Sequence, residues 1–178
     1  MTDALWVFGY GSLMWDTGFA VAERQIARLT GWRRSFCMWS VTYRGTPENP
    51  GLVLALDQAS DAACEGIAFR VPAGAEEETR AYLQARELIT YAYREETLPV
   101  TLRDGRQVQA LTYVINQDHS QYCARLALED QARIIANRQG QRGPNSDYLW
   151  NTVAHLADLG IRDAELDWLA ARVRDLAS

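Results

Sequence analysis

Lysine is absent from this chain of 178 residues, whose 18 basic residues are all arginine. Schiff-base catalysis and a lysine-bearing phosphate loop are therefore excluded. Histidine is scarce: His119 falls in a loop after Asn116-Gln117-Asp118, and His155 lies far away in a helical pattern. The three cysteines, Cys37, Cys64 and Cys123, are odd in number and widely spaced. They form no Cys-x-x-Cys pattern and suggest no disulfide framework, so each reads as a small core residue, and no metal site or cofactor is expected. No apolar run approaches the length of a membrane span. The N-terminus lacks the basic flank and apolar stretch of an export signal, so a cytoplasmic location is expected. The net charge of -5 argues against a nucleic-acid partner, because phosphate contacts dominate that affinity. With 48% apolar and 23% charged residues, the chain is expected to fold as one domain, residues 1–178, with a sizeable core. It has neither repeats nor a low-complexity linker. A monomer is compatible with this composition, although no pattern encodes the oligomeric state.

What is present begins with Leu5-Trp6-Val7-Phe8, an apolar run that reads as a buried strand and stops at Gly9-Tyr10-Gly11-Ser12-Leu13. Glycines there permit positive φ and a close backbone approach to an anion; a plain tight turn is the alternative. Further strands are expected over Arg34 to Tyr43, Gly51 to Leu56 and Gly66 to Val71. Leu98 to Leu102 and Val108 to Ile115 flank Asp104-Gly105, a hairpin signal. About six strands suffice for a small barrel or a strongly curled sheet. One helix interrupts them, opening at Glu76-Glu77-Glu78, where the helix dipole favours negative charge, and continuing through Leu88 and Ile89. The C-terminal third is helical. A first stripe (Leu128, Ala132, Ile135) stops at Gly140, a second helix capped by Asn145 or Ser146 runs to Gly160, and Asp163 caps a third. Strands first and helices appended indicate an α+β fold.

Without lysine or a histidine cluster, proton transfer falls to a carboxylate. Glu87 lies near the end of the interrupting helix, about 160° from the centre of its apolar face at 100° per residue. Periodicity alone makes it a solvated residue with a pKa near the ordinary ~4.3. A general base would need an apolar pocket that raises this value, and Tyr91 and Tyr93 are placed to help build one. The loop Tyr43-Arg44-Gly45-Thr46-Pro47-Glu48-Asn49-Pro50 carries Arg44, which either presents its guanidinium to a substrate carboxylate or pairs with Glu48.

The segment Trp6-Val7-Phe8-Gly9-Tyr10-Gly11-Ser12-Leu13-Met14-Trp15 resembles the signature of the ChaC-type gamma-glutamylcyclotransferases. The likeness continues through Gly31-Trp32-Arg33-Arg34-Ser35-Phe36-Cys37-Met38-Trp39, Tyr43 to Glu48, Pro50 to Leu56, Gly66 to Arg70 and Arg86-Glu87, and ends in Gly143-Pro144-Asn145-Ser146-Asp147-Tyr148-Leu149. The resemblance implies a small mixed β-barrel with flanking helices. It also implies an intracellular, cofactor-independent enzyme that splits glutathione into 5-oxoproline and cysteinylglycine. On that basis Gly9, Tyr10, Gly11, Ser12, Leu13 and Met14 hold the gamma-glutamyl group, Glu87 is the catalytic base and acid, and Tyr148 lies near the pocket. One departure stands out: Tyr91 occupies a position where bacterial members carry glycine. It keeps open a rival substrate, another gamma-glutamyl amino acid or amine. A catalytically silent small-molecule-binding member is the other alternative.

Overall fold

The computed structural model describes residues 4–88 and 92–177. Five strands, β1 (Trp6–Gly9), β2 (Glu23–Ser40), β3 (Gly51–Arg70), β4 (Tyr93–Leu102) and β5 (Gln107–Ile115), close into a barrel in the order β1-β3-β2-β4-β5. Helix α1 (Glu76–Glu87) separates β3 from β4. After β5 come α2 (Leu128–Asn137), the two-residue strands β6 (Gln139–Gly140) and β7 (Gly143–Pro144), then α3 (Asn145–Leu159) and α4 (Ala164–Ala177). This is the expected α+β barrel with a helical C-terminal third. No helix among the described residues is long and apolar enough to cross a membrane.

Two strands are longer than the apolar runs suggested. Gly51–Leu56 and Gly66–Arg70 prove to be the two ends of the single strand β3, with Val71 just past it, and β2 begins at Glu23 rather than Arg34 and stops at Ser40. The added stretches alternate: Ala27 and Leu29 are buried whereas Arg28 and Thr30 are exposed. A strand with one wetted face has no continuous apolar run to announce it.

The chain divides into two compact units, Met1–Arg34 with Leu56–His119, and Ser35–Ala55 with Ser120–Ser178. In the first, β1 is antiparallel to β3 (Trp6↔Arg70 to Gly9↔Ile67) and parallel to β5 (Trp6↔Ala110, Val7↔Leu111). Side chains alternate across these strands. Trp6, Phe8, Ala110 and Val114 join one core cluster with Leu29, Leu56 and Leu102. Val7, Leu111 and Tyr113 point the other way and pack with Leu83 of α1. Leu83 is completely buried, worth about 1.5–3 kcal/mol of transfer free energy. It fixes α1 against β1 and β5. The β4–β5 hairpin turns as expected, with Gly105 at φ 95° and its N–H donating to Leu102 O (2.9 Å).

In the second unit the three helices bury Ala132 and Ile135, Leu149 and Leu156, and Leu166, Leu169 and Val173. The Gly160 stop holds, in the left-handed conformation at φ 77°, and Asp163 Oδ1 accepts the Leu166 N–H (3.1 Å) as a cap. Two expectations fail. Helix α2 ends at Asn137, ahead of Gly140, because β6 begins at Gln139. Neither Asn145 nor Ser146 caps α3: its N-cap is Pro144, without a side-chain bond. The Asn145 side chain is buried and occupied elsewhere, accepting the Leu52 N–H (2.8 Å) and donating to Leu52 O (2.9 Å). Cys37 and Cys64 are core residues as expected, in different units, but Cys123 is only half-buried.

Candidate active site

β1 ends at Gly9, and Ser12–Met14 form a single turn of 3-10 helix. The turn is closed by bonds from Met14 N–H to Gly11 O (2.9 Å) and from Asp16 N–H to Ser12 O (2.8 Å). Neither Gly9 nor Gly11 takes the positive φ expected of it; Gly11 sits at φ -135°. What the glycines supply is space. A Cβ on Gly9 would stand 3.3 Å from Leu13 Cβ and 3.4 Å from the Phe69 ring, whereas one on Gly11 would meet no atom within 4 Å. The Gly9 carbonyl in turn occupies the place of a side chain at Gly66. Tyr10 is tied at both ends. Its hydroxyl donates to Tyr113 O (2.8 Å), and its carbonyl accepts from Nε of the buried Arg34 (2.7 Å). Among the described residues no acceptor meets the N–H groups of Gly11, Ser12 or Leu13. Leu13 and Met14 are buried, so the turn is anchored below and open above Gly11.

Glu87, the last residue of α1, is brought to this loop through Arg86. One guanidinium reaches four groups: Nη1 donates to Asp16 O (2.7 Å) and to the Tyr82 hydroxyl (3.3 Å), Nη2 to Ser12 Oγ (3.1 Å), and Nε lies 3.2 Å from Glu87 Oε1. The Glu87 side chain is 22% exposed, which corrects the solvated placement drawn from periodicity. The wheel takes the wrong side as apolar: Ala81 and Ala85 are exposed, whereas α1 buries Thr79 and Leu83, and Glu87, four residues after Leu83, lies on that buried side. That burial pushes its carboxyl above the ordinary carboxylate range, and the Arg86 charge opposes the shift only in part. The loop and the carboxylate, about 75 residues apart in a chain that could span far more, thus share one arginine.

A family model for ChaC-like proteins matches residues 5–176. The chain belongs to the ChaC-like family. It is 34% identical over 172 residues to the glutathione-specific gamma-glutamylcyclotransferase of Escherichia coli, covering 97% of this chain and 74% of that protein. It is also 34% identical to the Schizosaccharomyces pombe enzyme of the same name, over 96% of this chain and 93% of that one. The crystal structure of a yeast gamma-glutamyl cyclotransferase specific to glutathione superimposes with a TM-score of 0.83 at 24% identity, covering 99% of this chain and all of that chain, a likeness of fold.

Sequence reasoning on this ChaC-like chain assigned no task to Arg86, Tyr113 or Glu95. The Tyr113 hydroxyl is buried and donates to Glu95 Oε1 (2.9 Å). Burial first, then the Glu95 bond and charge and the Glu87 charge, hold its pKa well above the usual phenol value, so it acts as a permanent donor. An aromatic in an alternating strand reads as core, and nothing marks it otherwise. Arg86 had one available signal, its adjacency to the candidate base.

Arg44 and Tyr148 belong to the second unit, where they lie together, the guanidinium 5.7 Å from the ring centre. Arg44 Nη1 donates to Arg142 O (2.9 Å) and Pro144 O (3.1 Å); no ion pair with Glu48 forms among the described residues. The Tyr148 hydroxyl accepts the Leu54 N–H (3.1 Å), and Phe36 stands edge-on to its ring at 5.9 Å. Tyr91, with Ile89 and Thr90, lies outside the described residues. Among those described, no group of three or more His, Cys, Asp or Glu side chains is placed to hold a metal ion.

Proposed function

We propose that this chain is a glutathione-specific gamma-glutamylcyclotransferase, releasing 5-oxoproline and cysteinylglycine. The observation that carries the reading is a carboxylate with a raised pKa, Glu87, joined through Arg86 to the Gly9–Met14 loop in a chain with these relatives. The substrate's α-amine attacks its own γ-carbonyl, closing a five-membered lactam and expelling the dipeptide amine. Attack within one molecule already supplies proximity, so the protein must mainly hold a reactive conformer. Glu87 takes a proton from the α-ammonium group and returns one to the leaving nitrogen. Burial suits it to both steps, since a base works best with a pKa near the working pH. The N–H groups of Gly11, Ser12 and Leu13 are assigned to the substrate's carboxylate, and donors in the same loop to the developing oxyanion. Ser12 is a hydrogen-bonding residue. Its hydroxyl accepts from Arg86 and has no activating histidine in the loop. Arg44 and Tyr148 are assigned to substrate contact on their chemistry and on the resemblance. A cytoplasmic location belongs to the same proposal. The reaction as written calls on no cofactor.

The test compares 5-oxoproline release from glutathione with that from simple gamma-glutamyl dipeptides. A kcat/KM at least tenfold higher for glutathione is expected. Comparable or higher values for the dipeptides would move the assignment to a broader cyclotransferase, and no release from any of them would make the chain a binding protein.

A further inference from the structure

Residues Gln121–Cys123, beyond the end of β5, add a short antiparallel segment to the edge of β2 within the second unit. Met38 bridges Tyr122, Trp39 N–H donates to Gln121 O (2.7 Å), and Cys123 N–H donates to Cys37 O (2.8 Å). That register sets Cys37 and Cys123 directly opposite each other. Directly opposed residues of an antiparallel pair send their side chains to the same face. Their Cα atoms stand about 5.5 Å apart when hydrogen-bonded, inside the ~4.4–6.8 Å window that a disulfide requires. Both are present as thiols. We propose that Cys37 and Cys123 form a reactive dithiol that closes reversibly to a disulfide by exchange with a low-molecular-weight disulfide.

The two cysteines divide the work by exposure. Cys37 is fully buried and Cys123 is half-buried, so Cys123 is where a reagent arrives. In the first step the Cys123 thiolate attacks one sulfur of RSSR, giving the mixed disulfide and one RS⁻. The Cys37 thiol then loses its proton and displaces the second RS⁻ from Cys123, closing the protein disulfide. Two protein thiols are oxidised, one RSSR is reduced to two RSH, and a monothiol reverses both steps. The local backbone allows the small approach that bonding demands. The next residue, Ala124, lies in the left-handed region at φ 60°, which costs an alanine about 1 kcal/mol or more. The ladder ends there, so Cys123 is its last paired residue and moves without unzipping more of β2. Closure would be felt next door: Phe36, adjacent to Cys37, packs on the Tyr148 ring.

The test exposes the full-length native protein to glutathione disulfide, blocks remaining thiols with iodoacetamide without reduction, and maps cysteines by peptide mass spectrometry. The expected result is loss of two of the three alkylatable thiols, with Cys37 and Cys123 peptides linked, Cys64 still alkylated, and full recovery by a monothiol. Cys37→Ser should stop at a mixed disulfide on Cys123, and Cys123→Ser should leave Cys37 unreacted. A native protein that accumulates only the mixed disulfide on Cys123, or links either cysteine to Cys64, would overturn the proposal. So would one that takes up nothing while the urea-unfolded chain reacts.

Discussion

In Glu87→Gln the carboxylate becomes an amide of nearly equal volume, so the packing around α1 stays while the proton acceptor is lost. General acid–base catalysis by one positioned group contributes roughly 10²–10⁴-fold, or about 3–5 kcal/mol of barrier, and kcat for 5-oxoproline release should fall by that factor. Stability should behave differently. Burial raises the Glu87 pKa in the folded state. Between its unfolded and folded values the native protein therefore binds more protons than the unfolded chain, and stability declines as pH rises through that interval. Above both values the buried charge costs stability, and glutamine removes the cost. Against this, Arg86 Nε loses a partner 3.2 Å away; a pair this close to solvent is worth at most about 1 kcal/mol. The two effects oppose, so the melting temperature at neutral pH should stay within about 4 °C of the parent, and the parent's advantage should grow on acidification. Product chromatography at saturating glutathione, with thermal melts across the acid range, reads both quantities. A variant that keeps kcat within tenfold of the parent would refute the role of Glu87.

Arg86→Gln removes the link between α1 and the Ser12 loop together with the charge that restrains the Glu87 pKa. KM for glutathione should rise about tenfold, and the acid limb of the kcat profile should move to higher pH. Gly11→Ala places its methyl in open space, so the melting temperature should hold while KM rises, a split visible in kinetics beside a thermal melt. Asn145→Ala strands both polar groups of Leu52 at about 1–3 kcal/mol each, and urea unfolding should show a loss of about 2–6 kcal/mol.

The sequence marks punctuation well and interior strands poorly. Gly105, Gly160 and Asp163 were readable because each turn or cap is a local device with a required residue. The full length of β2 and β3 was not, because the first half of β2 and the middle of β3, around Ser60, carry exposed polar residues and no continuous apolar run. Asn145 misled for a related reason: its side chain looks like a cap locally, but it serves Leu52, 93 positions earlier. At the site, the Gly9–Met14 loop and Glu87 were visible as residue types, and resemblance joined them. Their physical link through Arg86, and the permanent donor at Tyr113, depend on how α1 lies on the barrel, which no local pattern carries.

The barrel also imposes an order on biosynthesis. Phe8 O accepts a hydrogen bond from Thr112 Oγ1, 104 positions later, and β1 pairs in parallel with β5. Such distant pairings form late, since the intervening chain must first be confined. The Gly9–Met14 loop thus leaves the ribosome about a hundred residues ahead of the strand that seats it. A nascent or truncated chain without β5 has the loop's residues and not its shape, so the proposed activity would begin only when the barrel is closed.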